Sequence, residues 1–300
     1  TPWMRLGERL EQLSELPHAL RVNAGLLTQT KVAYAKTDFV QRLPSSFPGR
    51  ERYGAVASNH TSMARMLLDP NAKKVVFGLH GLGQGSHLDG MAFHTDLWAR
   101  QGFNVVLPVR PYHDQRKHPD AKLNGDRSLG PLPTDLLYHN LQTVYEARQW
   151  LNWYRKEFEP ELVVFVGQSY GALSCQLLLG VEEVDAMVLM VPPWDLGEAF
   201  EQGPFEGFPP DAIANLVDIT KPISPSTYRS TLDPDALAMV AGKVDAITGA
   251  AAAVQVAEHH AIEPQLQSWI DAAHLGALVH PRTRNFLEAR MRDWSDRAGA

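Results

Sequence analysis

The sequence predicts an α/β fold built on a mostly parallel central sheet. Two observations predict it. Short continuous apolar runs, rich in β-branched residues, recur along the chain, and each is closed by a nearby Gly or Pro. Longer stretches with apolar residues at helical spacing lie between them. Runs of the first kind suit strands buried on both faces, and strand and helix in alternation mean βαβ units. A chain of 300 residues with 44% hydrophobic and 21% charged residues is ordinary globular usage. It excludes a disordered polymer and a small disulfide scaffold, and it is long enough for one large core.

In chain order, residues 3–16 place Trp3, Leu6, Leu10, Leu13 and Leu16 on one helical face, with Glu8, Glu11 and Glu15 opposite. The expectation is an N-terminal helical extension over 1–50, packed on the core and ending in the Pro/Gly/Ser connector 43–50. The remainder, 51–300, reads as one domain. Its strand candidates are Lys74–Leu79, Phe103–Val109, Leu162–Val166, Val184–Val191, Leu237–Ala241 and a last one at Gln265–Ile270. Helical patterns fall at about 88–101, 134–158, 170–179, 249–260 and 282–296, with Thr134 placed to cap the longest. Residues 192–235, rich in Pro, Gly and Phe, are too long for a simple connection and read as an inserted cap.

The charge balance, 28 basic against 34 acidic residues for a net −6, carries no extended basic block, so nucleic acid is not an expected partner. One cysteine, Cys175, excludes an intrachain disulfide and fits a reducing compartment. No apolar run reaches membrane-spanning length. The opening Thr1-Pro2-Trp3 has no signal-peptide shape, so a cytoplasmic location is the expectation. Membrane contact is not favoured. There is no Cys-x-x-Cys, His-Glu-x-x-His, G-x-G-x-x-G or Gly-Lys-Ser/Thr, so neither metal nor cofactor is expected. His87 and His94 are seven apart and could share one helical face, while the adjacent His259 and His260 cannot both face one ligand from a regular helix.

The strongest chemical signal is Gly167-Gln168-Ser169-Tyr170-Gly171, directly after the run Leu162–Val166 and before the small-residue segment Ala172-Leu173-Ser174. A serine on a tight strand-to-helix turn projects its hydroxyl out of the sheet, and flanking glycines allow strand and helix to approach closely. The positive end of the following helix points at developing negative charge.

With this strand, turn and helix, residues 73–297 resemble the α/β-hydrolase superfamily. The resemblance implies a nucleophile at Ser169, an acid after it and a base last. The acid falls on Asp245, in Ala241-Gly242-Lys243-Val244-Asp245 after a strand, with Asp195 as runner-up. The base falls on His274, in a loop after the last strand, with His280 as runner-up. The segment His80-Gly81-Leu82-Gly83 resembles the family's His-Gly loop. It implies oxyanion donors at the backbone N–H groups of Leu82 and Tyr170, with Gly83 as substitute and His80 bracing the loop. Candidate substrate contacts are Gln168, Tyr112 and Trp194, with Arg110 and His113 on the same loop as Tyr112. The resemblance implies an esterase or lipase-like serine hydrolase of a small-molecule ester or acyl substrate, working through an acyl-enzyme. The alternatives are a non-catalytic small-molecule binder and another triad chemistry: thioesterase, peptidase, acyltransferase or carbon–carbon hydrolase. A dehalogenase or epoxide hydrolase is disfavoured, because those use Asp where Ser169 stands.

Overall fold

In the computed structural model the apolar runs become strands of one sheet. The structure describes residues 21–24, 31–38, 59, 61–69, 71–85, 91–128, 133–195, 211, 214, 217–218, 220–227 and 229–299. Nine strands appear among them: β1 Arg21–Ala24, β2 Lys31–Asp38, β3 Thr61–Leu68, β4 Lys74–Leu79, β5 Phe103–Val109, β6 Leu162–Gln168, β7 Ala186–Met190, β8 Leu237–Gly242 and β9 Gln267–Ile270. Their spatial order is β1-β2-β3-β5-β4-β6-β7-β8-β9. From β5 to β9 every pairing is parallel, while β1, β2 and β3 add on antiparallel at the β5 edge.

The helices with described bounds are α1 Thr95–Arg100, α2 Pro133–Phe158, α3 Tyr170–Leu178, α4 Ala250–His259, α5 His274–Val279 and α6 Pro281–Ala298. Helix α2 begins at Pro133, one residue before the expected cap Thr134. A proline suits the first helical position because its φ is preset and its missing N–H is not needed there.

The parallel strands are continuous apolar runs because both faces are covered. Every residue of β5, β6 and β8 is buried. Phe77 of β4 stacks on Phe165 of β6 at 5.0 Å, and Tyr154 of α2 closes on Phe77 edge-on at 5.8 Å. Trp98, Trp150 and Leu151 are wholly enclosed in the same core.

One expectation needs correction. Within the supposed helical extension, the described residues of 1–50 form strands β1 and β2, which join the sheet through β3. A strand at a sheet edge gains a full ladder of backbone hydrogen bonds there, which overrides weak local preference. The helix expected over 3–16 lies outside the described residues. Residues 196–210, the centre of the expected cap, do too. What is described of 192–235 includes single turns of 3-10 helix at Lys221–Ile223 and Pro225–Thr227, with Ile223 buried.

Strand order sets where a site can form. From β4 the chain moves to β5 on one side, and from β6 it moves to β7 on the other. The neighbours β4 and β6 thus flank the point where the winding reverses. In open α/β sheets, crevices for ligands form at the carboxyl ends of the strands at such a point. The residues leaving those two ends are His80-Gly81-Leu82 and Ser169.

Candidate active site

Ser169 caps helix α3 with φ 53° and ψ −118°. A non-glycine residue at positive φ is strained unless its surroundings hold it. Its N–H donates to Met190 O at 2.8 Å, so the neighbouring strand anchors the turn. The glycines around it are there for space. A β-carbon on Gly171 would lie 1.8 Å from Leu79 O, and one on Gly167 would lie 2.7 Å from the backbone of Ala172. The elbow therefore exists only because strand β4, strand β6 and helix α3 come within backbone contact.

Asp245 and His274 meet at the carboxyl ends of β8 and β9. His274 Nδ1 lies 2.7 Å from Asp245 Oδ2, and both side chains are buried. The carboxylate is held from every side. Its Oδ1 accepts the N–H groups of Ile247 at 2.8 Å and Thr248 at 3.2 Å, and its Oδ2 accepts the Thr248 hydroxyl at 2.9 Å. Thr248 Oγ1 is also 3.2 Å from Val191 O, just past β7. Val191 itself sits at φ 44°, a strained backbone for a β-branched residue. Burial pushes the Asp245 carboxyl up, but the hydrogen bond and charge of His274, with the Ile247 and Thr248 donors, outweigh it and hold it below the usual carboxylate range. A charged acid bonded to Nδ1 leaves Nε2 of His274 as the free ring nitrogen. The described contacts include no direct hydrogen bond between Ser169 Oγ and that ring.

The runners-up sit elsewhere. Asp195 Oδ2 accepts the hydroxyls of Ser224 and Ser226 at 2.9 and 3.1 Å. His280 caps α6, its Nδ1 accepting Arg282 N–H. On the other side of Ser169, Gly81 packs close enough that a β-carbon there would be 3.4 Å from Ser169 Cβ. Gly83 N–H donates to His113 Nε2 at 3.2 Å, so the suggested substitute donor is engaged. Leu82 is exposed. Of the suggested substrate contacts, Gln168 is fully buried with its amide donating to Ala92 O, and Tyr112 is buried against His139. Trp194 is half-buried with its ring 4.7 Å from His259.

The pattern did not reveal the support behind the elbow. His80, His113 and His139 form a buried run of rings, with centroids 4.7 Å and 6.0 Å apart. His80 braces the loop as expected: Nδ1 is 2.9 Å from Gly81 O, and Nε2 accepts the Arg110 N–H. Burial, with the charges of Arg110 and Arg116, holds all three rings neutral, and His113 is lowered to about 3. Among the described residues, no cluster of His, Cys, Asp and Glu could hold a metal, and no helix is long and apolar enough to cross a membrane.

These rings make stability fall in acid. The unfolded chain protonates His113 near 6.5, whereas the folded chain does so only near 3. Between those values the unfolded state binds the extra proton. Stability is therefore whole above pH 6.5 and declines as pH falls, by about 1.4 kcal/mol per pH unit for each such ring. Urea midpoints at pH 7.5, 5.5 and 4.5 should drop in that order; equal midpoints would refute the burial of neutral rings.

No protein-family model matches the chain. Among curated proteins it is similar to Uncharacterized protein Rv2627c of Mycobacterium tuberculosis, 26% identical over 252 residues, which cover 81% of this chain. The match spans 60% of that relative's length. Among solved structures it is similar to an acetyl xylan esterase from Paenibacillus sp. R4, with a TM-score of 0.65 at 13% identity, covering 98% of this chain and 92% of that one. The esterase Pf2001 of Pyrococcus furiosus matches with a TM-score of 0.52 at 15% identity over 97% of this chain and 94% of that one. An acylaminoacyl peptidase of Pyrococcus horikoshii matches at 0.55 and 11% identity, over 97% of this chain and 43% of that one. At such identities the likeness is one of fold.

Proposed function

From a chain with the α/β-hydrolase fold, we propose a serine hydrolase that cleaves carboxylic esters, with Ser169 as nucleophile, His274 as base and Asp245 as the acid that orients it. The observation that carries the reading is the buried 2.7 Å contact of His274 Nδ1 with Asp245, on the same sheet edge as a strained, positive-φ serine. His274 would take the Ser169 proton as the hydroxyl attacks the acyl carbon, then return it to the leaving alcohol. Water, activated by the same ring, would release the acid. The N–H groups of Leu82 and Tyr170 would receive the developing oxyanion. Preorganised donors of this kind can each be worth roughly 3 kcal/mol of barrier.

Exposed apolar side chains on the loops after the strands support an apolar acyl group. Leu82, Leu123, Val244, Ile247 and Leu275 are exposed, and all follow the carboxyl ends of strands. The solved esterases of similar fold agree with this reading, as does the peptidase with acyl transfer in general. Incubation with a fluorophosphonate probe and a series of p-nitrophenyl esters tests it. Label should map to Ser169, and hydrolysis should disappear in step with labelling. A protein left unlabelled and inert toward every chain length would sink the proposal in favour of a binding role.

A further inference from the structure

Behind the elbow lies a cation that the proposed mechanism leaves unused. Arg110, the first residue after β5, is 1% exposed. Its Nη1 donates to His80 O at 3.0 Å and its Nη2 to Ser174 Oγ at 3.1 Å. The guanidinium carbon lies 4.2 Å from the centre of the Tyr170 ring. No carboxylate pairs with it among the described residues. Arg116, equally buried, shows the contrast: it is clamped by Glu146 at 2.6 Å. The titratable groups around Arg110 are His80, His113, His139, Tyr170 and Cys175, and burial favours the neutral form of each.

A buried charge without a counter-ion costs stability. Such costs concentrate at functional sites. The three contacts suggest why one is tolerated here. The His80 carbonyl belongs to the loop that carries Leu82 N–H. The Tyr170 ring belongs to the residue whose N–H would be the second donor. Ser174 lies one turn further along the same helix α3. A single side chain thus grips both halves of the proposed oxyanion site.

We infer that Arg110 is a positioning residue for that site: it fixes the loop after β4 against the start of α3, and holds a buried positive charge behind it. The inference rests on the serine-hydrolase reading above. Arg110 does not touch substrate. It remains charged at neutral pH even though burial lowers it to about 10. A merely structural clamp would need hydrogen-bond donors; the inferred role also needs the charge.

The test uses the full chain with Arg110→Gln, Arg110→Lys and Ser174→Ala. It measures kcat and KM on p-nitrophenyl acetate and inhibition by phenylboronic acid, whose boron bonds to a serine oxygen and becomes an anionic tetrahedral centre. Arg110→Gln should lower kcat between about 10- and 100-fold with KM within about twofold, and weaken the boronate by a similar factor. Arg110→Lys should recover part of both. A folded Arg110→Gln protein, judged by near-UV circular dichroism, with wild-type kcat and boronate affinity would overturn the inference, as would a loss confined to KM. Should Arg110→Gln fail to fold, Ser174→Ala decides: of Arg110's contacts it removes only that of Nη2, together with the Ser174 hydroxyl's own bonds to Asn140 Oδ1 at 3.3 Å and Tyr170 O at 3.4 Å. It should weaken the boronate by about threefold, and an unchanged affinity counts against the role. Wild-type protein that neither takes fluorophosphonate nor binds boronate would remove the hydrolase reading itself, and this role with it.

Discussion

Ser169→Ala should abolish ester turnover while leaving the fold intact. Loss of a triad nucleophile lowers kcat by about a millionfold, because no other group can form the acyl-enzyme. The structure explains why the fold should not notice. Alanine keeps the β-carbon, and the backbone at φ 53° is held by Ser169 N–H to Met190 O and by the glycine contacts around it. The hydroxyl makes no hydrogen bond among the described residues, so its removal leaves no buried partner unsatisfied. The check pairs p-nitrophenyl ester hydrolysis with a thermal melt. The expected result is a melting midpoint near that of wild type and no measurable rate. A residual rate above about one per cent of wild type would assign the chemistry elsewhere, since it lies far above what a lost nucleophile leaves.

The parts of the fold that were legible are those where burial is two-sided. Lys74–Leu79 and Phe103–Val109 stand in the sequence as largely apolar runs, and both became strands with those bounds. Strand β3 was not legible. Along Thr61–Leu68 the buried positions Ser62, Ala64, Met66 and Leu68 alternate with half-buried ones, which is a clean period of two. The residues filling that pattern are small, or are Met, Arg and Leu, which favour helices as readily. Helix α5, only six residues long, directly follows β9 and is too short to show a helical period.

The site divides in the same way. Gly167–Gly171 is contiguous, so it could be read as one motif. Asp245 and His274 could be named from their places after strands, but spacing cannot bring them together; the parallel pairing of β8 with β9 does that. The support around Arg110 draws on His80, His113, His139 and Ser174, which are scattered over four elements or loops. No local pattern marks such a network, and only tertiary packing assembles it.

Asp245→Asn separates the two candidate acids, and its effect follows from the direction of each hydrogen bond. Oδ1 accepts two backbone N–H groups, from Ile247 and Thr248, so the amide oxygen of an asparagine must take that place. Its NH2 group is then forced into the position of Oδ2, facing His274 Nδ1 at 2.7 Å. A donor there requires Nδ1 to accept. The ring proton must move to Nε2, and the nitrogen meant to take the serine proton already carries one. The geometry survives while the tautomer is wrong, so kcat should fall about 10,000-fold with little change in KM. Asp195→Asn alters an acceptor of the Ser224 and Ser226 hydroxyls and leaves the Asp245–His274 contact in place, and kcat should stay within about twofold of wild type. His274→Ala should be as inactive as Ser169→Ala, because the proton then has no acceptor. Measuring kcat for these three variants and for His280→Ala on one ester decides the matter. If Asp195→Asn or His280→Ala proved the dead enzyme instead, the buried Asp245–His274 pair would be a strut between β8 and β9, and the base would have to come from another loop.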